Sequence, residues 1–146
     1  MSFDLPELDQ KKTKEAVESA LEKYRIFRYL AFEEREVSIT ASSEERFHGP
    51  TNATTDQTSQ AAIYNADQQE YRRKYCERLE RSVNRLAPKE KLLIEKRYLE
   101  SDAEYKTDIQ VYTFDFQPPI SQVTYGKIRW KAFYKLALIL NITVTK

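Results

Sequence analysis

Gln122, Thr124 and Lys127 stand at the beginning of the segment ISQVTYGKIRWKAFYKL, and Arg129 and Lys131 follow them. Hydrogen-bonding side chains near a helix start, with cations beside them, suit a nucleic acid duplex: the first turns of a recognition helix reach base edges while Lys and Arg meet phosphates. Ser121 is an N-cap residue, and Ile120 is placed as the apolar residue ahead of the cap. Tyr125, Ile128, Ala132 and Leu136 recur at steps of three and four, with Phe133 and Leu140 beside them, so they form the core side of a long helix that runs to about Leu140. Gly126 lies inside that helix at a cost of about 1 kcal/mol relative to Ala, which is understandable if something approaches the backbone closely there. An amphipathic helix with a merely solvated basic face is the competing reading, and the basic face alone does not choose between them.

Other chemistries lack the residues they need. The single histidine, His48, lies in a Ser/Thr-rich stretch and the single cysteine, Cys76, in a charged helix, so no Cys/His metal set and no nucleophile with its base can be assembled. There is no Gly-rich phosphate loop. Carboxylates such as Glu77, Glu80 and Glu95 alternate with Arg78, Arg81 and Lys96 in the manner of solvated ion-pairing faces. The expectation is a protein that is not an enzyme and carries no metal and no cofactor. Net charge is only +1, but it is unevenly spread: residues 1–60 hold 8 basic and 12 acidic side chains, residues 61–118 hold 11 of each, and residues 119–146 hold 5 basic and none acidic. Capacity for anions therefore gathers at the C-terminal end.

The elements that must present these residues are helical. A chain of 146 residues with only two glycines and 32% charged residues is expected to be all-α, a helical bundle of one domain or a small domain with an appendage. Ala16, Val17, Ala20, Leu21, Tyr24, Phe27 and Leu30 give a first amphipathic helix from about Asp9 to Glu34. Residues 37–60 show no apolar period and read as a linker or loop between an N-terminal helix (1–36) and a C-terminal part (61–146). Ile63, Tyr71, Tyr75, Leu79, Val83 and Leu86 mark a second long helix that Pro88 ends, and Leu92, Leu93, Ile94, Tyr98 and Leu99 a short third one. Residues 108–117 suit either a short helix, the preferred reading, or an extended piece, and Ile142 to Thr145 read as a departing tail. No apolar run approaches the roughly 20 residues of a membrane span, and the start MSFD and the single cysteine suggest a cytoplasmic protein.

The order LAPKEKLLIEKRYL, a polar spacer, a short apolar element and then ISQVTYGKIRWKAFYKLA resembles region four of sigma factors from about Leu86 to Leu136. Over nearly the whole chain, LPELDQKKTKEAVESALEKYRIFRYL, NRL, EKRYL and KAFYKLALILNITV resemble the ArpU family of bacteriophage and prophage transcriptional regulators. The resemblance implies a sigma-like C-terminal helix-turn-helix and a double-stranded DNA-binding regulator, an activator of late phage genes for packaging and lysis that works with bacterial RNA polymerase, and it is compatible with a homodimer. It places Gln122, Val123, Thr124, Gly126 and Lys127 toward bases, with Ser121, Arg129 and Lys131 completing the DNA-binding set and Lys131 nearer the phosphates. FDFQPPIS is longer than the usual sigma turn and holds two prolines, which departs from the pattern. Trp130 is expected to be partly buried against the second helix, and the N-terminal helix to be separable in function from the DNA-binding part. An interaction module that grips polymerase or a phage protein without DNA, and a structural phage component, are the other classes that the charged helices allow.

Overall fold

Asp9 starts the first helix: its carboxylate accepts the backbone N–H of Lys12 at 3.0 Å and its carbonyl that of Thr13 at 2.9 Å. The computed structural model describes residues 7–43 and 56–146, with side chains over 7–32 and 63–146. Helix α1 (Gln10–Ser43) buries Thr13, Val17, Leu21 and Tyr24, and α2 (Asp56–Asn84) buries Cys76, Leu79, Ser82 and Val83. Both helices overrun the segment read as a linker. Neither 37–43 nor 56–60 contains Gly or Pro, and once a helix is nucleated each further residue adds a hydrogen bond, so loss of the apolar period alone does not end it. The remainder of that segment, with His48, lies outside the described residues.

The chain divides into two compact units, and the division falls inside α1 and α2: residues up to Arg25 join Arg78–Lys146, and Ile26–Glu77 form the other. In the second unit Phe27 meets Tyr71 and Tyr75 edge-on at ring-centroid distances of 5.9 and 5.3 Å. Burial raises the Tyr75 hydroxyl to a pKa of about 12. The first half of α1 thus falls in one compact unit with the C-terminal elements.

In the first unit, Ala87 is extended ahead of Pro88 (φ −61°, ψ 154°) and starts α3 (Pro88–Ile94), which continues into a π-helical turn, Glu95–Leu99. Glu90, almost fully buried, accepts the Ala87 backbone N–H at 3.2 Å and the Lys135 ammonium at 2.8 Å. A single 3₁₀ turn, Ala103–Tyr105, leads to α4 (Asp108–Gln110), which passes into a second π-helical turn, Val111–Asp115. Residues 108–115 are therefore helical. Their start is set by a reciprocal cap in which Thr107 Oγ1 accepts the Gln110 N–H at 3.2 Å and the Gln110 side chain accepts the Thr107 N–H at 2.9 Å. Helix α5 (Gln122–Leu140) carries Ala132, Phe133, Leu136 and Ala137 into a core with Leu93, Ile94 and Tyr98, whose ring lies 5.6 Å from that of Phe133. The architecture is all-α, with no strand among the described residues.

Asn141, in the left-handed region at φ 58°, ends α5, and the Ile142 N–H donates to Ala137 O at 2.9 Å. The tail does not depart. It returns to the chain's beginning, where Thr145 bridges Leu8, the Asp9 N–H donates to Val144 O at 2.8 Å and the Lys146 N–H to Glu7 O at 3.1 Å. Thr13 Oγ1 both donates to Val144 O and accepts the Val144 N–H, each at 3.2 Å. Thr13→Val keeps the shape but leaves the Val144 N–H without an acceptor, while Val144 O keeps the Asp9 N–H, so urea unfolding should show a loss of about 1–3 kcal/mol, while Thr13→Ser stays close to the parent.

Candidate nucleic-acid interface

Three elements converge on one carboxylate. Asp108 at the start of α4 accepts Arg97 Nε from the π turn after α3 at 2.9 Å, and the Tyr125 hydroxyl and Arg129 Nη1 from α5 at 2.7 and 3.1 Å. The Arg129 guanidinium also lies over the Tyr125 ring, 5.7 Å from its centroid. Behind this cluster Tyr125 packs with Tyr112 and Phe116, at 5.4 and 6.5 Å between ring centroids. Lys106 pairs with Asp115 at 2.9 Å and ties the preceding loop to the second π turn. Partial burial pulls the Asp108 pKa up, but the Tyr125 hydrogen bond and the charges of Arg129 and Arg97 outweigh it and hold the carboxyl below its usual value. Burial first, then the bond to Asp108, pushes the Tyr125 hydroxyl well above its ordinary range, so it stays a donor.

Ser121 begins α5 as its sequence predicts: backbone φ −76° and ψ 160°, with Oγ accepting the Thr124 N–H at 3.2 Å and donating to Thr124 Oγ1 at 3.0 Å. Ser121 is therefore engaged as the cap and sets where the helix begins. Gln122, Val123, Thr124, Lys127 and Lys131 are all exposed, and neither lysine has a hydrogen bond or ion pair among the described residues. Gly126 has an ordinary helical backbone, and a Cβ built there meets nothing within 4 Å. The cost of glycine thus has no cause within the described part of the chain. Arg129 is the predicted residue whose place differs most: it is 23% exposed and held by Asp108, so it anchors the helix more than it offers a free cation.

Gln122, Val123, Gly126 and Arg129 line a groove of about 640 Å³ together with Thr107 and Ile109 of the α4 start. These last two were not singled out from the sequence. The N-terminal turn of α4 is a short polar–apolar alternation there, and only the packing of α4 against α5 brings it beside Gln122 and Val123. Trp130 is partly buried as expected, but its ring partner is Tyr134 at 6.2 Å, and the groove it lines is formed with Leu8, Asp9 and Lys146 at the chain ends.

The chain is 27% identical over 147 residues to an uncharacterized phage-related protein of Listeria innocua serovar 6a, in an alignment that covers 99% of this chain and 97% of that one. That similarity supports a phage or prophage origin. No family model matches the chain, and no solved structure matches it. Among the described residues no helix is long and apolar enough to cross a membrane.

Two measurements follow from this geometry. Because the Asp108 pKa is depressed on folding, its ionised form stabilises the fold above the ordinary value of 3.8 and that contribution is lost as pH falls through the folded pKa. Asp108→Asn should cost about 1–2 kcal/mol at pH 7, a figure lowered for the carboxylate's 38% exposure, and the gap to the parent should close in chemical unfolding repeated below pH 3.8. Gly126→Ala, with free space for the methyl, should raise the melting midpoint, corresponding to about 0.5–1 kcal/mol. A destabilised variant would show that the glycine serves the fold.

Proposed function

We propose that this protein is a sequence-specific double-stranded DNA-binding transcriptional regulator of the ArpU type, an activator of late phage genes for packaging and lysis that acts with host RNA polymerase in the bacterial cytoplasm. The observation that carries the reading is the exposed set Gln122, Val123, Thr124, Lys127 and Lys131 around an unobstructed Gly126, on a helix whose start is capped and whose other side is buried. In this reading α4 and α5 form the helix-turn-helix, and the chain carries no catalytic residue, metal or cofactor. Gln122 and Thr124 supply hydrogen bonds to base edges, Val123 an apolar contact and Lys127 a cation near the bases, while Lys131 meets a phosphate one turn further on. The phage-related similarity along the whole chain supports the setting.

A second reading, an interaction module that grips polymerase or a phage protein, is favoured by the exposed apolar side chains Ile26, Tyr29, Phe32, Ile63 and Tyr64 in the unit Ile26–Glu77. Within the regulator reading the same residues serve a polymerase contact or a homodimer, so the two readings part on whether DNA is bound at all.

Binding titrations over a series of salt concentrations test the assignment. Lys131→Ala should weaken binding to all duplexes alike and reduce the salt slope by about one unit, whereas Thr124→Ala or Lys127→Ala should relax preference at particular base pairs by about 1–3 kcal/mol. Unchanged affinity and salt slope in all three would remove α5 from the interface, and retention of polymerase with no DNA binding would favour the interaction module.

A further inference from the structure

We propose that the groove between the start of α4 and the first turns of α5 seats the 5-methyl group of a thymine, with Val123 and Ile109 supplying its apolar contacts. This rests on the DNA-binding reading and names the chemical group that one part of the surface recognises.

Ile109 and Val123 come from different elements, are 62% and 68% exposed, and line the same groove as Gly126 and Gln122. Neither side chain contributes much to its own fold at that exposure, and two β-branched residues around one recess offer no hydrogen bond to a ligand. Gly126 adds no bulk, since even a Cβ there would meet nothing within 4 Å. Of the groups that a base pair presents in the major groove, the thymine C5-methyl is the apolar one, and the rest are donors and acceptors that Ile and Val cannot satisfy.

Charge is compatible with a duplex at this place. The one carboxylate of the groove, Asp108, is held by Arg97 at 2.9 Å and Arg129 at 3.1 Å, so the three groups together carry a net positive charge. Exposed Lys127 stands on the adjoining turn of α5, and the segment from Pro119 to the C-terminus has no acidic residue. A neutral, apolar group carried on a polyanion suits these surroundings. Of the two contacts, the resemblance places Val123 toward bases, and Ile109 joins it through the packing of α4 beside α5.

The full-length protein is first used to select preferred duplexes from a random library, and each thymine of the selected site is then replaced singly by deoxyuridine, which preserves pairing and removes only the methyl. At one or two positions the parent protein should lose about fourfold in affinity per methyl, the size expected for burial of one such group. Val123→Ala and Ile109→Ala, both at exposed positions and checked for unchanged melting, should bind more weakly and lose most of that discrimination. A protein that binds its selected site specifically yet is indifferent to every uridine, or whose discrimination survives both substitutions, overturns the thymine contact and leaves DNA recognition standing. Absence of specific duplex binding overturns both.

Discussion

Asp108 brings together side chains that are 11, 17 and 21 positions away in the chain, and the placement of α5 depends on that meeting. A carboxylate that accepts from Arg97, Tyr125 and Arg129 at once fixes the rotation of α5 as well as its position, because Tyr125 and Arg129 are one turn apart and both must point the same way. Apolar packing alone would leave that rotation less determined, since methyl and ring contacts are not directional in the way of charge-assisted hydrogen bonds. The partial burial of the cluster raises the cost of losing any member, as the remaining charges would keep their desolvation without their partner. Rotation of α5 in turn decides which residues face outward.

The consequence is a division of labour along one helix. Tyr125, Arg129, Ala132, Phe133 and Leu136 are taken up by the fold, and Lys135 reaches Glu90 at 2.8 Å, whereas Gln122, Val123, Thr124, Lys127 and Lys131 remain at the surface. Rigid support behind an exposed polar set is what recognition requires, because side chains held in place lose less freedom on binding. The far end of the helix is secured by different means. Asn141 turns the chain, and the tail pairs with the residues ahead of α1 through Val144, Thr145 and Lys146. The first and last described segments of the chain thus share one hydrogen-bonded junction.

Exposed apolar side chains also lie in the unit Ile26–Glu77, away in sequence from the DNA-reading set that we propose. Ile26, Tyr29 and Phe32 are each more than half exposed on α1, as are Ile63 and Tyr64 on α2. A regulator that acts on polymerase needs such a second surface, because DNA contacts place it on a promoter but do not by themselves recruit an enzyme.

Sequence alone was enough for the helical class, the Ser121 cap, the Pro88 boundary and the exposed set on α5, because each rests on local chemistry: spacing of apolar residues, a hydroxyl one position ahead of a helix, a ring that forbids the preceding residue a helical backbone. The same local reasoning erred where an absence was used as a signal. Loss of apolar period at 37–43 and 56–60 did not end the helices, and Ile142 to Thr145 looked like a free tail because nothing nearby in sequence could pair with it. Arg129 looked like a free cation because its partner lies 21 residues away, and Ile109 gained its place in the groove only when α4 packed against α5. Periodicity tells which side of a helix is buried; which other segment buries it, and which charges are consumed in holding it there, is decided by long-range contacts that a linear pattern does not contain.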